Sequence, residues 1–200
     1  MKNVAVFLAD GFEEVEAFTP IDYLRRAKAN VITVGVKGMN EYIGEKKTVF
    51  IVTSSHGIPV IADISLSEFL KKYNEDSIDM LFCPGGGKGA ENLANCVELL
   101  EFIEKMHKKG KFVSAICASP AVVLGKTSAP KGSKWTCYPN MQNESDTSFI
   151  PNYVDKPFVT DGNLITGRAA GSSEQFAMEL IRLLFGENSA EQIKKATCQR

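Results

Sequence analysis

Lys111-Phe-Val-Ser-Ala-Ile-Cys117-Ala-Ser-Pro-Ala-Val-Val-Leu124 passes from an apolar strand pattern to an apolar helix pattern at a cysteine. Phe112, Val113, Ala115 and Ile116 form the short apolar run expected of a parallel strand covered on both faces. Small residues follow Cys117, and Pro120 suits the first turn of a helix, where its missing N–H costs nothing. A cysteine at such a corner is aimed by the strand and lies beside the free N–H groups and positive dipole end of the next helix, which favour thiolate. The same pattern admits a buried core cysteine, since free cysteine is among the most buried residue types.

Working outward toward the N-terminus, Met80-Leu-Phe-Cys83 is a buried strand that runs into Pro84-Gly-Gly-Gly-Lys-Gly89. Gly85 to Ala90 formally satisfies GxGxxA, but a dinucleotide fingerprint is rejected. The match is not in the first βα unit, and the next strand ends in Cys117 where a ribose would need an acid. A phosphate loop fails as well, because no Gly-Lys-Ser/Thr follows at the required spacing. The glycines still allow close backbone approach at the carboxyl edge of a parallel sheet.

Val4–Leu8 reads as the first strand and Glu13–Arg26 as a helix whose Val15, Phe18, Ile21, Tyr23 and Leu24 track one face, with Pro20 marking a kink or restart. Val31–Val36 is a second strand. A charged segment follows, and then Thr48–Val52 and Ile58–Ile61 form a hairpin across Ser54-Ser-His-Gly57. Phe69 and Leu70 belong to a short helix, and a longer one runs from about Ala90 to His107, with His107 as a solvated cap. Trp135–Tyr138 is strand-like, and the polar residues Asn140 to Asp146 lie on the surface. Asp161-Gly162 is the strongest hairpin signal, and Ser172 or Ser173 caps the last helix. This alternation of strands and helices predicts one α/β domain over residues 1–200, a mainly parallel sheet with helices on both faces.

With 44% hydrophobic residues and a formal net charge of -1, the chain can bury a core but offers no broad basic surface, so neither nucleic acid nor an anionic membrane is an expected partner. The five cysteines contain no CxxC pair, which argues against zinc and against a disulfide framework and favours reduced thiols in the cytoplasm. The N-terminal apolar run is too short for a signal peptide and meets Asp10, and no run approaches a membrane span.

Five motifs in order carry a resemblance: Ala9-Asp-Gly-Phe-Glu-Glu-Val-Glu16, Pro84-Gly-Gly-Gly-Lys-Gly-Ala-Glu-Asn-Leu93, Ala115-Ile-Cys-Ala-Ser-Pro120, Gly132-Ser-Lys-Trp-Thr-Cys-Tyr-Pro139 and Thr166-Gly-Arg168. Together they resemble the DJ-1/ThiJ/PfpI superfamily, and within it the DJ-1/ThiJ branch. The resemblance implies a flavodoxin-like three-layer α/β sandwich, a homodimer and no cofactor or metal. It also implies an elbow cysteine at Cys117, a protonated acid at Glu16 donating to its sulfur, and an oxyanion pocket from the N–H groups of Gly86 and Ala118. Tyr138 and Arg168 are candidates for the substrate pocket. Ala118 stands where the protease-like branch has a histidine, and Tyr138 where the human-like branch has one, so no histidine base is assigned.

Two functions follow from the resemblance. Cys117 is a redox-sensitive thiolate of an oxidative-stress sensor or chaperone reacting with peroxide, or it is the nucleophile of a cofactor-independent glyoxalase or deglycase acting on methylglyoxal-type aldehydes. Cysteine peptidase and thiazole-biosynthesis roles rank below these.

Overall fold

The structure is a computed structural model and describes residues 1–43 and 47–199. In chain order the described residues form β1 (Asn3–Ala9), α1 (Glu14–Arg26), β2 (Asn30–Lys37), β3 (Met39–Ile43), β4 (Lys47–Thr53), β5 (Pro59–Ala62), β6 (Ile64–Ser65) and α2 (Leu66–Lys72). Then come β7 (Met80–Cys83), α3 (Gly87–Ala94), α4 (Val97–Lys108), β8 (Phe112–Ile116), α5 (Ser119–Val122), β9 (Phe158–Asp161), β10 (Leu164–Gly167), α6 (Ser173–Phe185) and α7 (Glu187–Ala196).

The main sheet has the order β6-β2-β1-β7-β8-β10-β9, parallel throughout except for the edge strand β9. The strands centred on Val6, Val34, Phe82 and Val113 therefore lie side by side in one sheet. Strand β1 shows why: Ala5, Phe7 and Ala9 enter the core layer shared with α2, α3 and α4, while Val4, Val6 and Leu8 enter the layer shared with α1, α6 and α7. A strand that alternates between two apolar layers must be apolar at every position. The result is the expected α/β sandwich with helices on both faces.

Chain direction decides where chemistry can sit. From β1 the chain moves to β2 on one side and returns to β7 on the other, so the crevice at the carboxyl ends of β1 and β7 is the topological switch point. The loops after β1, β7 and β8 all open there.

Several expectations are corrected. The charged segment after Val36 contains β3, which joins β4 and β5 in a separate antiparallel sheet, while its residues 44–46 lie outside the described residues. The helix expected from Ala90 to His107 is two helices, broken at Asn95 and the extended Cys96, both weak helix formers. Trp135–Tyr138 is not a strand: Trp135 makes an isolated bridge to Tyr153 and the rest of the segment bonds to loops. Helix α1 runs unbroken through Pro20, and its buried face is set by Ala17, Pro20, Ile21 and Leu24, which leaves Val15 49% exposed on the other side. His107 is not a solvated cap but is partly buried, with an Nδ1 that has no hydrogen-bond partner among the described residues. Neither Ser172 nor Ser173 caps α6 through its side chain, because the Ser172 hydroxyl turns back to the Ala169 carbonyl. The hairpin at Asp161-Gly162 does form, with Gly162 at φ +59.

Candidate functional site

Cys117 leaves β8 with φ +65, a left-handed conformation that costs a non-glycine residue about 1–2 kcal/mol. Two backbone bonds hold it there: its N–H donates to the Gly167 carbonyl at 3.0 Å and its carbonyl accepts the Tyr138 N–H at 2.8 Å. The buried Ser119 hydroxyl, donating to the Pro84 carbonyl at 2.6 Å, ties the start of α5 to the loop after β7. Helix α5 itself has only four residues, so the macrodipole expected at this corner is small. What acts on the sulfur is more local: the N–H groups of Gly86, after β7, and of Ala118 pull the thiol down.

Glu16, in the first turn of α1, is 1% exposed and lies against Cys117. Its Oε2 accepts the Gly85 N–H at 3.1 Å, and the Ala170 N–H is a further donor to the carboxyl. A side chain on Gly85 would press on both Glu16 Oε2 and the Cβ of Cys117, so the acid and the thiol meet only because position 85 is glycine. Gly86, at φ +87, is similarly required, since a Cβ there would strike the Gly11 carbonyl and the Glu13 nitrogen.

Burial, with the nearby Glu13 charge, pushes the Glu16 carboxyl up to about 7. Burial also pushes the Cys117 thiol up to about 12, with the charge and hydrogen bond of ionised Glu16 adding to it, while the two N–H groups pull it down. With Glu16 ionised the thiol keeps its proton, which corrects the expectation of a resting thiolate. When Glu16 holds the proton, the charge repulsion vanishes and the carboxyl becomes a donor to the sulfur. The proton on Glu16 therefore decides whether the sulfur faces a charge or a donor.

Tyr138 and Arg168 are placed less centrally. The Tyr138 side chain is 50% exposed and only its backbone reaches Cys117, while the Arg168 guanidinium pairs with Asp155 at 2.9 Å. Among the described residues neither side chain bonds to Cys117 or Glu16. Sequence reasoning missed Gly85, Ala170 and Gly167, whose roles depend on backbone groups or close approach and leave no side-chain signature, and Ser119, whose hydroxyl meets the Pro84 carbonyl only in the fold. It also missed that His56 meets α1. Its ring and the carboxylates of Glu13 and Glu14 place potential metal-ligand atoms within 4.8 Å of one another. A groove of about 580 Å³ between the second sheet and α2 lies apart from Cys117 and shares no residue with its surroundings.

Over 196 residues the chain is 36% identical to Protein DJ-1 homolog B of Arabidopsis thaliana. It spans less than half the length of that protein and of Protein DJ-1 homolog A from the same plant, 41% and 45% respectively. A second relative, 27% identical with 98% of each chain covered, is the glutathione-independent glyoxalase DJ-1 of Schizosaccharomyces pombe. The solved structure of oxidized Toxoplasma gondii DJ-1 superposes with a TM-score of 0.84 at 28% identity, covering 99% of this chain and 98% of the other. The model of the DJ-1/PfpI family matches residues 2–183, and this chain belongs to that family.

Proposed function

We propose that this protein is a cysteine-dependent oxidative-stress protein of the DJ-1 type, in which peroxide oxidises Cys117 and the Glu16 carboxyl and the N–H groups of Gly86 and Ala118 hold the product oxygens. The observation that carries this reading is the convergence of one raised carboxyl and two backbone donors on a single partly exposed sulfur. Such a pocket stabilises a sulfinate by charge-assisted hydrogen bonds and slows further oxidation. The similarity to a structure of oxidized Toxoplasma DJ-1 supports it. The test is mass-resolved peptide mapping after graded peroxide: Cys117 should gain two oxygen atoms and stop, and uncontrolled passage to the sulfonate would reject the pocket.

A second reading is favoured by the fission-yeast relative and by the Glu16 carboxyl lying near neutrality, where a general acid and base works best. The Cys117 sulfur adds to an α-oxoaldehyde such as methylglyoxal, Glu16 moves the proton, and water releases a hydroxy acid; deglycation of the corresponding adducts is its variant. Steady-state consumption of methylglyoxal that is lost in Cys117→Ala decides for it. In either case the protein works as a homodimer, and the partly solvent-facing α1, with Val15 exposed, supports that assembly. The five free cysteines fit a reducing compartment such as the cytoplasm.

A further inference from the structure

The densest cluster of ligand-type side chains outside the Cys117 pocket joins two elements far apart in sequence. Strand β4 ends in the tight turn Ser54-Ser-His-Gly57, and this turn is fastened to the loop after β1. The Ser55 N–H donates to the Phe12 carbonyl at 2.7 Å, the Gly11 N–H donates to the Thr53 carbonyl at 2.8 Å, and Gly57 takes φ +81. The Thr53 N–H in turn donates to Asp10 Oδ1 at 2.8 Å. These bonds fix where His56 stands relative to the start of α1, independently of any ligand.

Three donors of metal-binding type converge there. His56 Nδ1 lies 2.7 Å from Glu14 Oε1, and one ligand atom each from His56, Glu13 and Glu14 all lie within 4.8 Å of one another. Ligands held by one ion at roughly 2 Å sit about 3 Å apart, so the His56–Glu14 edge is already near the spacing a cation needs and Glu13 has only a short swing to make. Outer bonds orient both acids without exhausting them. The Ser55 hydroxyl donates to Glu14 Oε2 at 3.1 Å, which keeps Oε1 toward the ring, and Glu13 Oε2 accepts the Glu16 N–H at 2.9 Å, which leaves its Oε1 for an ion.

Negative charge is in excess at this point. Among the described residues no lysine or arginine pairs with Glu13 or Glu14, and the neighbouring Lys88, packed on Gly11, turns its ammonium to Glu91 at 3.0 Å. The N-terminus of α1 sets about half a positive charge against a cation, while the two carboxylates bring two full negative ones. The ring of His56 is 71% exposed, which gives an ion a way in and leaves room for water at a fourth position.

We propose that His56, Glu13 and Glu14 form a binding site for a divalent transition metal, with zinc the ion that one imidazole nitrogen, two carboxylate oxygens and an open fourth position suit best. The imidazole disfavours calcium and magnesium, which take oxygen ligands. The ion replaces the proton between His56 and Glu14 and so clamps the turn after β4, and with it the second sheet, to α1. The site uses no cysteine, so it stands whether Cys117 serves redox or aldehyde chemistry.

The test is titration of the intact reduced chain with Co²⁺, whose visible d–d absorption reports four-coordinate binding and whose near-ultraviolet thiolate band would reveal a cysteine ligand, followed by displacement with Zn²⁺. One equivalent should bind without a thiolate band and be displaced by zinc, and His56→Ala and Glu14→Gln should each weaken it roughly tenfold or more. Zinc should also raise the thermal midpoint of wild type and leave that of His56→Ala unchanged, a variant that folds because its ring is exposed. Wild-type affinity in either variant, a thiolate band on the first equivalent, or no binding at millimolar cobalt would overturn the site.

Discussion

The carboxyl of Glu16 and the side chain of Cys117 face one another across Gly85, with backbone donors beside each, Gly85 and Ala170 for the carboxyl and Gly86 and Ala118 for the sulfur. The donors are amides and cannot titrate, so the only mobile charge in the cluster is the proton between acid and thiol. Burial makes that proton expensive to lose, and this sets the pH behaviour of both groups.

The first consequence is a pH-dependent stability. In the folded chain Glu16 titrates at about 7 instead of 4.5, so between those values the folded state keeps a proton that the unfolded state has released. Stability from this group is fully present below 4.5 and falls as pH rises through about 7, by roughly 3 kcal/mol in total. Urea unfolding of wild type against Glu16→Gln should show the variant gaining on wild type across that window and no further above it. Parallel curves would show that Glu16 is not held protonated.

Gly85→Ala should disable the site while leaving the sheet intact. The added methyl has to displace the Glu16 carboxyl and the Cys117 Cβ, an overpacking cost of about 1–3 kcal/mol. The measurement is the urea midpoint together with the peroxide sensitivity of Cys117; a variant with wild-type values of both would refute the close approach.

Peroxide should find Cys117 before the other four cysteines. Cys83 and Cys137 are fully buried and out of the reagent's reach, whereas Cys117, whose thiol is raised just as far, is partly exposed with donors waiting for a charged product. Cys198 is exposed, so a small alkylating agent such as iodoacetamide will compete there. Replacing Glu16 by Leu should leave the fold in place and carry Cys117 past the sulfinate; an unchanged product ladder in peptide maps would remove Glu16 from the site.

Sedimentation at micromolar concentration should give a dimer, as proposed from the family and from the solvent-facing side of α1. A monomer under those conditions would withdraw that part of the proposal.

What the sequence alone determined was the sheet and the position of its sharpest corner. Strands such as Val4–Leu8 and Met80–Cys83 are apolar at every position, which only a doubly covered strand requires, and Cys117 is marked by the change from strand to helix pattern on either side of it. The resemblance added Glu16, Gly86 and Ala118. Tertiary structure decided the rest, because it depends on distances between residues far apart in sequence. The Cys117 thiol rises instead of falling because its own burial and then the neighbouring Glu16 charge outweigh the two backbone N–H groups. Position 85 must be glycine because a side chain from α1 and one from the turn after β8 meet over it. His56, unremarkable in sequence, acquires Glu14 as a partner only when the turn after β4 is pinned to the loop after β1. Periodicity reports which face of an element is buried; it carries no information on which two loops the sheet order brings to the same edge.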